Sequence, residues 1–204
     1  MKPVQPFHHA PATQRNRDPI LKVLQTYLPN PARVLEIASG TGEHAVYLSA
    51  KLPQVTHWQP TDIDPTAISS IEAWRQRDHH PKLLPACHLD VIAPIEMTPG
   101  DYNTLLAINM IHIAPWKATE GLMQLANKLL RNAGILYLYG PFWQDDVSPV
   151  DSNLAFDVSL RQRNPLWGIR NLNEVTHLAE VNGLTRETVV PMPANNLSVV
   201  FRKD

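Results

Sequence analysis

The chain has 204 residues, 44% of them hydrophobic and 18% charged, which suits one packed core and leaves no length for a cofactor domain plus a separate substrate domain. A formal net charge of −1 excludes a global pull toward nucleic acid or an anionic membrane. One cysteine, Cys87, excludes an intrachain disulfide and a cysteine-rich metal site.

The first residues lack an apolar leader segment, and no run approaches the ~20 apolar residues of a membrane span. The expected location is cytoplasmic, with no membrane partner. Residues 1–14 read as an irregular arm with prolines at 3, 6 and 11, and residues 15–30 as an extra helix region before the first strand. There Ile20, Val23, Leu24, Tyr27 and Leu28 recur at spacings of three and four. Asp18 before Pro19 reads as a cap followed by proline at the first helical position. The first strand is 33–37, and a helix follows over about 42–51.

A second strand covers 56–61 and ends in Asp62-Ile63-Asp64-Pro65, another cap-and-proline pair that opens a helix. A third strand is expected over 83–88, ending at Asp90, with Cys87 as a buried strand residue rather than a nucleophile. The run Thr104-Leu105-Leu106-Ala107-Ile108 is almost unbroken apolar, as a strand covered on both faces requires. Helix follows over 118–130, then a fifth strand over 134–140. Residues 154–163 read as helix and 164–170 as a loop. Asn173 is the expected cap of a helix over 174–181. The last two strands, 185–190 and 197–202, have no helix between them and should pair antiparallel. The alternation of strands and helices predicts a doubly wound α/β sheet, and residues 1–204 are expected to form a single domain.

The functional reading turns on Leu35-Glu36-Ile37-Ala38-Ser39-Gly40-Thr41-Gly42-Glu43-His44-Ala45. A strand, a tight glycine turn and a helix start make a nucleotide cradle. Gly40 to Ala45 satisfies G-x-G-x-x-A, and Asp62 follows about 20 residues later, which favours NAD and an oxidoreductase. An acid inside the strand run, Glu36, and the antiparallel close of the chain weigh against it. The same features suit S-adenosyl-L-methionine, whose demethylated product is S-adenosyl-L-homocysteine. That ligand has a cationic amino-acid end, a ribose and an adenine, and no pyrophosphate. Glu36, the pair Gly40 and Gly42, Asp62 and Asp90 come in the right order at successive strand ends.

The chain resembles the DUF938 group of S-adenosylmethionine-dependent methyltransferase-like proteins. The resemblance rests on Ala12-Thr13-Gln14-Arg15-Asn16-Arg17-Asp18-Pro19-Ile20-Leu21, the stretch from Leu35 to His44, Trp58-Gln59-Pro60-Thr61-Asp62, Asn109-Met110-Ile111-His112-Ile113-Ala114-Pro115-Trp116, Leu138-Tyr139-Gly140-Pro141-Phe142 and Asn195-Asn196-Leu197. It implies the class I methyltransferase fold, Rossmann-like: a seven-stranded, mostly parallel sheet with helices on both faces, strand order 3-2-1-4-5-7-6 and an antiparallel last strand. Ala38 takes the place of the first glycine in acidic-x-Gly-x-Gly-x-Gly. Asp62 falls on the ribose-binding acid and Asp90 on the adenine-side acid, with Leu89 beside it.

Methyl transfer is an in-line displacement that needs positioning, and a base where the acceptor carries a proton. Asn109 and His112, after the fourth strand, are the candidate catalytic residues, with Asn109 also placed on the cofactor. Arg15, Asn16, Tyr139, Phe142 and Trp143 are the candidate substrate residues, with Trp116 and Trp167 as further walls. The expected acceptor is a small molecule; the N-P-P-Tyr pattern of DNA-adenine and glutamine methyltransferases is absent. The pairs His8-His9 and His79-His80 lack metal-site spacing, so no metal is expected. A cofactor-binding scaffold without turnover is the non-enzyme alternative.

Overall fold

The apolar run at 104–108 forms the middle of the sheet, and the rest of the chain winds outward from it. A computed structural model describes residues 8, 11–78, 80–93 and 97–204. Its elements are α1 (Pro11–Tyr27), β1 (Ala32–Ile37), α2 (Glu43–Lys51), β2 (Val55–Asp62), α3 (Pro65–Asp78), β3 (Cys87–His88), β4 (Tyr102–Ile108), α4 (Trp116–Leu129), β5 (Leu130–Gly140), β6 (Phe142–Trp143), α5 (Asp151–Arg163), β7 (Arg170–Asn171), α6 (Leu172–Glu180), β8 (Leu184–Met192) and β9 (Asn196–Lys203). Seven strands form one sheet in the order β3-β2-β1-β4-β5-β9-β8. The first five pair in parallel, and β9 runs antiparallel between β5 and β8. This is the class I methyltransferase arrangement.

Side chains alternate across the sheet with the period of two that a strand imposes. Leu105 and Ala107 face α4 and α6 with Leu122, Leu125 and Val175. Leu106 and Ile108 face α1 and α2 with Ile20, Leu24 and Leu48. Both faces are covered, and β4 is apolar from Leu105 to Ile108 after a buried Thr104.

Three local expectations change. Helix α1 starts at Pro11, so residues 11–14 are helical rather than irregular, and Pro19 lies inside the helix. Proline there costs one backbone hydrogen bond. The buried stripe nevertheless continues across it as Thr13, Asn16, Ile20 and Leu24. Two polar members hid that stripe from a hydrophobic count. Asp18 caps nothing in this helix; it accepts a hydrogen bond from the Tyr47 hydroxyl. Residues 1–7, 9 and 10 of the expected arm, and with them His9, lie outside the described residues, as does His79.

Strand β3 shrinks to two residues. Pro81 and Pro85 cannot donate to a ladder, so Leu83 makes only a single bridge to Trp58. Cys87 is exposed there, not buried. At α6 the cap is Asn171, whose side chain accepts from the backbone N–H groups of Asn173 and Glu174. The expected cap, Asn173, already lies inside the helix. The loop over 164–170 yields its last residue to β7, which pairs with β6.

Candidate functional site

Glu36 sits one residue before the end of β1 and is 1% exposed. It shares a sheet face with Val34, so its carboxyl enters the α1–α2 side of the core. One oxygen is held there twice: Trp58 Nε1–H and the Ser39 hydroxyl both donate to Oε2, each at 2.9 Å. Burial raises its pKa from 4.5 to about 7, against those two hydrogen bonds and with a smaller push from Asp62. An acid so poised carries its proton at mildly acid pH and gives it up when a positive charge approaches.

Asp62 closes β2. Its Oδ2 accepts from the Gly40 N–H at 2.9 Å, and its Oδ1 accepts from the Asp64 N–H at 3.0 Å. The carboxylate is thus pinned to the glycine turn. Leu89 N–H donates to the Asp62 carbonyl, and Asp90 Oδ1 accepts from the Ile92 N–H. These strand ends surround one cavity of about 530 Å³, walled by Glu36, Ala38, Gly40, Asp62, Leu89, Asp90 and Asn109. His44, Ile113 and Trp167 contribute further walls. It lies outside the carboxyl ends of β1, β2, β3 and β4, where open α/β sheets bind ligands. Three carboxyl groups line it, and no lysine or arginine does among the described residues.

The turn uses its small residues unequally. Gly40 is left-handed at φ 57°, and a Cβ there would project into open space, so its backbone is free to approach a ligand. Gly42 does not line the cavity. A Cβ there would stand 2.9 Å from the Ile71 backbone, so this glycine seats the start of α2 against α3. Ala38, at the position of a glycine in the wider pattern, is also left-handed at φ 55°. That conformation costs an L-residue about 1–2 kcal/mol, while glycine adds roughly 0.5–1 kcal/mol of unfolded-state entropy. Ala38→Gly is therefore expected to stabilise the fold by about 0.5–1 kcal/mol in urea melts. A clear loss of stability would contradict the strain.

Beyond β4 a second cavity of about 640 Å³ adjoins the first, sharing Asn109 and Ile113 with it. Arg15, Asn16, His112 and Tyr139 line this second space. Asn16 stands between the two: its Oδ1 accepts from His44 Nε2 at 2.8 Å, and it hydrogen-bonds Tyr139. His112 lies on a 3-10 turn (Ile111–Ile113) and is 2% exposed. Its pKa is lowered to about 4 by burial, then by Arg170 and Arg163. Nδ1 is buried without a hydrogen-bond partner and packs against Gly140, where a Cβ would come within 3.0 Å of it. The ring is neutral at physiological pH.

Phe142 and Trp143 line neither cavity. Pairing of β6 with β7 draws them away, and Phe142 joins the α4–α6 core. Trp116 also stands apart, under the Arg170 guanidinium. The candidate site residues omit Trp58 and Ser39, which hold Glu36, and Thr13 and His44, which wall the first cavity. A sign for His44 existed in its place one residue into α2, directly after the glycine turn.

A family model described as "Protein of unknown function (DUF938)" matches residues 7–203. Among solved structures the chain is similar to the S-adenosylmethionine-dependent methyltransferase SibL in its apo form, at 16% identity and a TM-score of 0.77, over 94% of this chain and 55% of that one. It is similar to an O-methyltransferase family 2 protein from Planctomyces limnophilus in complex with apigenin, at 14% identity and a TM-score of 0.74, over 94% and 63%. It is also similar to the YcgJ protein of Bacillus subtilis, at 14% identity and a TM-score of 0.71, over 93% and 98%. The chain spans little more than half the length of the first of these. At such identities the likeness establishes the fold.

Proposed function

The chain belongs to the DUF938 family, and from that premise we propose that it is an S-adenosylmethionine-dependent methyltransferase acting on a small molecule, with its 204 residues forming one such domain. One observation carries the reading: a cavity at the strand ends with three carboxyl groups, no lysine or arginine among the described residues, and an open glycine backbone. That lining favours a ligand with positive charge over one with a pyrophosphate, so it speaks for a sulfonium cofactor and against NAD.

The residues fit such a cofactor. Glu36 would face its ammonium end and ionise on contact. Asp62, held by two backbone N–H groups, would accept from the ribose hydroxyls with its remaining lone pairs. Leu89 and Asp90 would take the adenine side. When bound, the cofactor supplies an electrophilic methyl group on a cationic sulfur. Asn109, left-handed at φ 56° where the two cavities meet, would orient the acceptor toward it. His112, neutral, would accept a hydrogen bond from the second cavity.

Calorimetry on ligand-stripped protein tests the reading. Stoichiometric binding of S-adenosylmethionine or S-adenosylhomocysteine is expected, with no response to NADH. Asp62→Ala should weaken that binding about tenfold or more, since it removes a hydrogen-bond acceptor from ribose and unties the Gly40 turn. Parent-like affinity would remove the ribose assignment. Transfer of labelled methyl groups to small molecules in a cell extract separates an enzyme from a scaffold.

A further inference from the structure

The second cavity takes its charge from two arginines. Arg15 enters from α1 and Arg163 from the end of α5, and both are exposed. Neither has a carboxylate partner among the described residues, and no aspartate or glutamate lines this cavity among them. The neighbouring arginines are already engaged. Arg161 pairs with Asp157 at 2.7 Å, and Arg170 donates to the carbonyls of Ile111, Ala114 and Leu166. Arg163 lies over the Trp167 ring, 5.3 Å from its centroid, and with Arg15 it lines the cavity without an ion pair among the described residues. The electrostatic sense is opposite to that of the cofactor cavity next door, where three acids stand without a lysine or arginine among the described residues.

The cavity is lined by apolar and aromatic side chains together with the amides of Asn16, Asn109, Asn153, Asn195 and Asn196. Phe156 and Tyr139 wall it, and Phe156 meets His112 edge-on with ring centroids 5.7 Å apart. The two cavities share Asn109 and Ile113, and His112 lines the second one beside them. Nδ1 of His112 makes no hydrogen bond, and the ring forms part of the cavity wall. Its volume of about 640 Å³ is that of a small-molecule site.

We propose that this second cavity receives the methyl acceptor, and that the acceptor is an anionic small molecule with a flat or cyclic body. One end bears a carboxylate or phosphate that Arg15 and Arg163 grip. The other bears a hydroxyl or amino group that reaches Asn109 and His112. The assignment as acceptor rests on the methyltransferase reading; the charge preference of the cavity does not. Charge separation between the two cavities keeps each ligand in its own place, because the cationic cofactor is repelled by the arginines and the anionic acceptor by Glu36, Asp62 and Asp90.

The test titrates the full chain, first alone and then saturated with S-adenosylhomocysteine, by ligand-observed NMR. The probes are para-hydroxybenzoate, para-hydroxyphenyl phosphate and the neutral para-hydroxybenzyl alcohol. At least one charged probe should bind about tenfold tighter than the alcohol, and which one does so identifies the anion. Arg15→Gln and Arg163→Gln should each weaken that probe about fivefold and leave S-adenosylhomocysteine affinity unchanged. Both arginines are exposed, so the variants should fold. Equal binding of the alcohol, no binding of either charged probe, or variants that bind like the parent would overturn the proposal. A protein that fails to bind S-adenosylhomocysteine but keeps the charge preference would instead overturn the cofactor reading.

Discussion

Glu36→Gln should make the ligand-free protein more stable at neutral pH and weaken its hold on the cofactor. The folded-state pKa of Glu36 is about 7 against an ordinary 4.5. Between those values the unfolded chain has released a proton that the folded chain keeps. Stability from this group therefore falls as pH rises through that window and levels off above it. The loss is about 3 kcal/mol at pH 7.5. Glutamine keeps an oxygen for the Trp58 and Ser39 donors and has no proton to lose. Relative to the parent, the variant should gain about 3 kcal/mol between pH 4.5 and 7.5, or roughly 6–12 °C in melting temperature for a chain of this size.

The comparison must be a difference, because His44 and His112 push the other way. Each is lowered to about 4 by burial first. Each therefore contributes stability that is full above its ordinary 6.5 and is lost as pH falls toward 4. Those contributions cancel between parent and variant. Urea melts at four pH values from 4.5 to 7.5 read the rest, and parallel curves would refute the shift. Binding should move oppositely. Parent affinity for S-adenosylmethionine should rise with pH up to about 7, and the variant should be about tenfold weaker at pH 8 with a flat profile. The buried acid is then a stability cost kept for ligand charge.

The sheet and the first cavity were legible because both follow from short-range pattern. A strand end is marked by the break in an apolar run, and Asp62 and Asp90 sit at such breaks, while Glu36 stands out as an acid inside the run. Chain order then put them in one row. Trp58 was not legible as the holder of Glu36. It lies 22 residues away, and only the parallel register of β1 on β2 brings its indole to that carboxyl. Phe142 and Trp143 were misplaced for the opposite reason. They follow β5 directly, so proximity in sequence suggested the cofactor edge. The two-residue pairing with β7, some 28 residues on, decides their direction instead. The second cavity was half legible: Arg15, Asn16 and Tyr139 were singled out, but α5 supplies Phe156 by a crossing that no local signal carries.

Gly121→Ala should damage the protein more than alanine at any other glycine, although Gly121 lies in the middle of α4 and touches neither cavity. Alanine is the better helix former by about 1 kcal/mol, so propensity alone predicts a gain. Packing reverses the sign. A Cβ at this position would stand 2.1 Å from the Val91 carbonyl oxygen and 2.8 Å from its carbon. Both are backbone atoms, so no side chain can turn away to make room. Overpacking usually costs about 1–3 kcal/mol, and a rigid backbone neighbour puts this case at about 3 kcal/mol or more. The displaced segment also carries function. Leu89, Asp90, Val91 and Ile92 wall the first cavity, so pushing Val91 outward moves the adenine side with it. Urea melts of Gly121→Ala should show the loss. Gln124→Ala, on the exposed side of the same helix, should stay within about 0.5 kcal/mol of the parent. Where Gly121→Ala remains folded at low temperature, its affinity for S-adenosylhomocysteine should fall while Ala38→Gly keeps parent affinity. A Gly121→Ala protein as stable as the parent would mean that α4 does not rest on the Val91 carbonyl, and that the adenine wall is held from elsewhere.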